Sequence, residues 1–132
     1  MKRLLIGGLV AFALAPAASG ADQLLRAQLK PIAPARSGSG TFTAKATVTA
    51  RAVMLRWQLS LSNLSGPATR ATLRIKGKNT GFVLCKPCRS RTKGELAIVT
   101  PFWQDIAAGR SEIVVSTRAH PSGELRGVVR IG

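Results

Sequence analysis

Apolar and polar residues alternate with a period of two through most of the chain, and no window of helical length carries a sustained 3.6-residue apolar period. In residues 24–30, Leu25, Ala27 and Leu29 alternate with Arg26, Gln28 and Lys30. In 41–49, Phe42, Ala44, Ala46 and Val48 face one way and Thr43, Lys45 and Thr47 the other. In 53–61, Val53, Leu55, Trp57, Leu59 and Leu61 alternate with Met54, Arg56, Gln58 and Ser60. Residues 70–76 repeat the pattern, and shorter runs follow at 82–84, 95–99, 113–117 and 124–131. Such segments bury one face of a strand and wet the other. Between them stand turn formers: Pro31, Pro34 and Ser37-Gly38-Ser39-Gly40, then Gly66-Pro67, Lys78-Asn79-Thr80-Gly81, and Ala119-His120-Pro121-Ser122-Gly123. Residues 85–94 read as a polar basic loop, and 102–109 as a single helical turn stopped by Gly109. Seven to eight short strands in 132 residues predict one antiparallel β-sandwich or barrel around a single core.

The first 21 residues stand outside that pattern. Lys2 and Arg3 precede an apolar run over 4–15, and small residues continue to Ala21. Charged start, short apolar middle and Ser19-Gly20-Ala21 exit make a secretory signal peptide, so the mature domain is expected to be 22–132. The apolar run is far short of the ~20 residues a membrane span requires. The expected location is therefore secreted, periplasmic or otherwise at the cell envelope, with no transmembrane segment after cleavage.

Charge narrows the partners. The whole chain carries a formal +15, and removal of Lys2 and Arg3 leaves eighteen bases against five acids. No acid occurs between Gln23 and Gly94, whereas the part from Glu95 onward is balanced. Arg70, Arg74, Lys76, Lys78, Lys86, Arg89, Arg91 and Lys93 form the densest acid-free cluster. It is a candidate anion-binding region for an envelope polymer or polysaccharide. Specific nucleic-acid readout is not expected, because aromatics are only 5% of the chain, Tyr is absent and there is no Gly-rich phosphate cradle.

Cys85-Lys86-Pro87-Cys88 admits two readings. In an exported chain two close cysteines form a local disulfide that restrains its loop. Alternatively, a CxxC flanked by bases is a redox dithiol, which makes the protein a thiol-disulfide or redox-sensing one. A zinc site lacks ligands, since His120 is the only imidazole and lies far along the chain. Glu95, Asp105, Glu112 and Glu124 show no catalytic pairing on one strand face, so no catalytic residue and no cofactor is expected. Glu124 and Arg126, two apart on one strand, are expected to form a salt bridge or backbone clamp on the final strand.

Residues 116–129, Ser-Thr-Arg-Ala-His-Pro-Ser-Gly-Glu-Leu-Arg-Gly-Val-Val, resemble the C-terminal signature of the CHRD (chordin-type) domain. Its core here is Pro121, Gly123, Glu124, Arg126 and Gly127. Ser39-Gly40-Thr41-Phe42, Leu64-Ser65-Gly66-Pro67 and Asp105-Ile106-Ala107-Ala108-Gly109 follow in the family's order. The resemblance implies an extracellular, immunoglobulin-like β domain without established catalytic activity. Many members carry His-x-His where Thr72-Leu73-Arg74 stands, and a further His where Ser116 stands. Whatever those imidazoles do, this chain does not do it with Thr, Arg and Ser.

Overall fold

The computed structural model describes residues 22–76 and 80–132. Residues 1–21, expected from the sequence to be a signal peptide, and Lys78 lie outside the described residues. In chain order the elements are β1 (Asp22–Pro31), β2 (Ser39–Val48), β3 (Ala52–Ser62), β4 (Ala68–Ile75) and β5 (Thr80–Cys85). Then come β6 (Arg91–Val99), α1 (Thr100–Ala107), β7 (Ser111–Thr117), β8 (Leu125–Val128) and β9 (Arg130–Ile131). All strand pairs are antiparallel. The order across the sheet is β5-β4-β7-β8-β1-β2-β3-β6, with β9 beside β1, which curls into a nearly closed barrel.

Alternation explains the barrel directly. The inward residues of β1, β2 and β3 are Leu25, Ala27 and Leu29, then Phe42, Ala44 and Ala46, then Val53, Leu55, Trp57, Leu59 and Leu61, all buried. Leu73 and Ile75 of β4 and Ile113 and Val115 of β7 close the core from the other side. Each fully buried Leu, Ile or Phe contributes roughly 1.5–3 kcal/mol of transfer free energy. Trp57 fits inside because its cross-strand partners are Ala44 and Gly94. A Cβ at Gly94 would lie 2.8 Å from the indole Cζ2.

Two readings of the sequence need correction. Residues 91–94, expected in a loop, belong to β6, because ladder bonds to β3 decide the matter where apolar alternation is missing. The expected helical turn is an eight-residue helix starting at Thr100, with Pro101 in its first turn. It plugs the barrel with Trp103 and Ile106, and Phe102 meets Phe82 edge-on at 5.6 Å between centroids. After it the chain turns at Gly109 (φ +79°), and the Arg110 Nε donates to the buried Asp105 Oδ1 at 3.0 Å.

β5 and β6 flank the seam where the barrel does not close. The loop 86–90 bridges it. Cys88 N–H donates to the Ala68 carbonyl at 3.1 Å, and Leu61 N–H donates to the Ser90 carbonyl at 2.8 Å.

Candidate functional site

The Pro121–Gly127 motif builds a buried clamp. Glu124 has no solvent exposure, a cost a carboxylate tolerates only with full hydrogen bonding. Ser65 N–H donates to its Oε2 at 2.8 Å, and the Thr117 hydroxyl donates to its Oε1 at 2.7 Å. Its own N–H donates to the Val115 carbonyl at 2.7 Å, and its carbonyl accepts from Ile32 N–H at 2.8 Å. One residue thereby ties together the end of β1, the β3–β4 loop and the end of β7. Burial alone would raise the Glu124 pKa. The Ser65 N–H, then the Thr117 and Ser65 hydroxyls, and last the charge interaction with His120 outweigh it, leaving the carboxyl below its ordinary value.

The motif's glycines serve the same packing. Gly123 adopts φ +137°, and a Cβ there would lie 2.9 Å from Val114 Cγ1 and 3.1 Å from Ile32 Cδ1. A Cβ at Gly127 would overlap the Gln28 carbonyl of β1. Arg126 takes no part in the clamp. It is exposed on β8, opposite Lys30, and Glu124 pairs with backbone and hydroxyl donors rather than with it. Pro121 is exposed in the turn that returns the chain from Thr117, where His120 N–H donates to the Thr117 hydroxyl at 3.2 Å.

Cys85 and Cys88 are bonded, with Cα atoms 5.2 Å apart. Cys85 ends a strand, and Cys88 is buried against Ala68. Neither sulfur sits at a helix N-terminus, the placement that stabilises a reactive thiolate; the one helix among the described residues starts at Thr100. No group of three or more His, Cys, Asp or Glu side chains converges as metal donors among the described residues. No helix among them is long and apolar enough to cross a membrane.

The basic cluster that is contiguous in sequence is divided in space. Arg70, Arg74 and Lys76 are exposed along β4, and Glu112 of β7 stands directly opposite Arg74. Lys86 and Arg89 are exposed on the bridging loop. Arg91 and Lys93 are exposed on β6, across the seam, where their ladder neighbours are Ser60 and Gln58. Thr72 and Arg74 share a face of the β4–β7 ladder with Ser116, which stands opposite Arg70. Ser116 and Val114 are buried, because the turn holding Gly123 folds over that side of β7.

What sequence reasoning missed lies on the other sheet face. Arg26 opposes Arg130, and Lys30 opposes Arg126, so β1 meets β8 and β9 in two directly facing like-charge pairs. The linear order gives no sign of this, since the pairs join residues about a hundred positions apart.

The sequence profile of the CHRD domain matches residues 18–129, most of the chain. No curated protein and no solved structure matches the chain at a significant level.

Proposed function

The chain belongs to the CHRD domain family, and on that premise we propose that it is an exported, non-enzymatic binding or structural module of the cell envelope with anionic partners. One observation carries the reading. Every described Lys and Arg is exposed, yet among the described residues only Lys45, Arg56 and Arg110 stand within ion-pairing distance of a carboxylate. The remaining cations are left to solvent and to whatever polyanion surrounds the protein. The leader-like residues 1–21 support export, and the family supports a binding role over catalysis.

The test is retention of the purified protein on heparin and phosphate resins over a salt gradient. Elution above physiological salt is expected, with a steep dependence on ionic strength. Passage without retention at physiological salt refutes the reading. The variant K86S/R89S/R91S/K93S apportions the effect between the bridging segment and the rest of the surface.

A further inference from the structure

The antiparallel register assembles a surface that no stretch of sequence contains. Two rows of outward side chains run across the barrel wall. The first is Arg26–Thr43–Gln58–Lys93, extended by Arg130 on β9. The second is Gln28–Thr41–Ser60–Arg91. Cations therefore stand on both rims, and neutral hydrogen-bonding side chains fill the middle. With strands about 4.8 Å apart, the Arg26 and Lys93 rims are separated by roughly 14 Å.

Four features of this face point to a ligand. Neither row holds a carboxylate. The nearest acids are Glu95 in the adjoining row and Asp22 one row further, engaged by Arg56 (3.4 Å) and Lys45 (3.9 Å) respectively. Glu112 stands beyond β8, opposite Val128. The facing pairs Arg26–Arg130 and Lys30–Arg126 repel, a cost to the fold that a bound anion would remove. Gln58 lines three adjoining depressions, of about 520 Å³ beside Ser60, Arg91 and Lys93, about 310 Å³ beside Arg26 and Thr43, and about 450 Å³ beside Lys93 and the Arg56-paired Glu95.

We infer that this face of β1, β2, β3 and β6 binds a linear acidic polysaccharide, its carboxylates or sulfates held by Arg26, Arg91 and Lys93 and its hydroxyls by Thr43, Gln58 and Ser60. The neutral middle decides the class. Hydroxyl and amide side chains between the cations match the hydroxyls of sugar rings. The large exposed hydrophobics of the described chain include no aromatic, so bases find nothing to stack on. A purely phosphate polymer offers only acceptors and would leave the Gln58 side-chain carbonyl without a donor, whereas a sugar hydroxyl both donates and accepts. The inference rests on the polyanion-binding reading above and makes it specific to one face and one ligand class.

The experiment uses the full purified protein and an alginate oligosaccharide, with neutral dextran, inorganic polyphosphate and single-stranded DNA in parallel. Circular dichroism and Trp fluorescence establish that each variant is folded. R26S/R91S/K93S is expected to bind alginate about tenfold to a hundredfold more weakly, from the loss of three exposed charge contacts. R70S/R74S/K76S, equal in charge removed, is expected to keep wild-type affinity. T43A/Q58A is expected to lose alginate affinity several-fold and polyphosphate affinity by a clearly smaller factor, and dextran is expected not to bind. If R70S/R74S/K76S loses alginate while R26S/R91S/K93S keeps it, the protein binds polyanions but not on this face. If T43A/Q58A binds alginate normally, or DNA is preferred, the polysaccharide assignment falls. If the wild-type protein binds no polyanion at all, the underlying functional reading falls with it.

Discussion

Substitution of Glu124 separates a buried structural clamp from a recognition residue. Glu124→Ala removes an ionised acceptor from Ser65 N–H and the Thr117 hydroxyl, 2.8 and 2.7 Å away. Hydrogen bonds to a charged group are worth about 1.5–3 kcal/mol each, so the loss is roughly 3–6 kcal/mol. Against a domain stability of about 5–15 kcal/mol, this leaves a marginal fold. Glu124→Gln is far milder. Its carbonyl still accepts from Ser65, and the Thr117 hydroxyl turns to accept from the new amide, so the cost is about 1–2 kcal/mol. Urea unfolding followed by Trp57 and Trp103, both buried, reads these values directly. The pH dependence supplies a second readout. The folded-state pKa of Glu124 lies below its ordinary value of 4.5. The ionised side chain therefore adds stability above pH 4.5, and that contribution is lost as pH falls through the folded-state pKa. Glu124→Gln has no proton to take up, so its deficit against wild type shrinks across this acid window. A deficit that stays constant as the pH is lowered, or a Glu124→Ala cost under about 1 kcal/mol, refutes the clamp.

Three other substitutions probe the packing. Gly127→Ala forces a Cβ into the Gln28 carbonyl and should cost at least about 2 kcal/mol in chemical denaturation, whereas Gly66→Ala, with nothing within 4 Å, should stay within about 0.5 kcal/mol of wild type. Gly94→Ala crowds the Trp57 indole and should cost about 1–3 kcal/mol, with a shifted Trp emission maximum as the independent sign. Thiol titration should find no free cysteine in the native protein; Cys85→Ser/Cys88→Ser should lose no more than about 2 kcal/mol, because the bridge closes a very short loop. A loss above that bound in the double variant would mean that the bridge holds the β4–β5 region together rather than the loop alone.

Much of the architecture was legible without coordinates. Apart from Val48, which is exposed where β2 ends, the residues of β1 to β4 that alternate in sequence are those that alternate in burial, because a strand's side-chain period is a local property of extended backbone. The family motif was likewise visible, and its Gly123 and Gly127 are required where they stand. Legibility failed where non-local pairing decides. Residues 91–94 carry no apolar alternation, yet β3 recruits them as a strand. Arg126 looked like the partner of Glu124, but the chain leaves Glu124 outside β8 and turns it toward donors at Ser65 and Thr117, 59 and 7 residues away.

The same division governs the charged surface. By itself the sequence determined that the chain is cationic, that its excess precedes Glu95 and that it folds as strands, since composition and period are read one residue at a time. Only the tertiary structure decided which cations are neighbours. Register separated Arg74 from Lys93 across the barrel seam, and it placed Arg26 against Arg130 and in one row with Lys93. Charges interact over ångströms of space rather than along the chain, so a charge cluster in the sequence and a charged face of the protein are different objects.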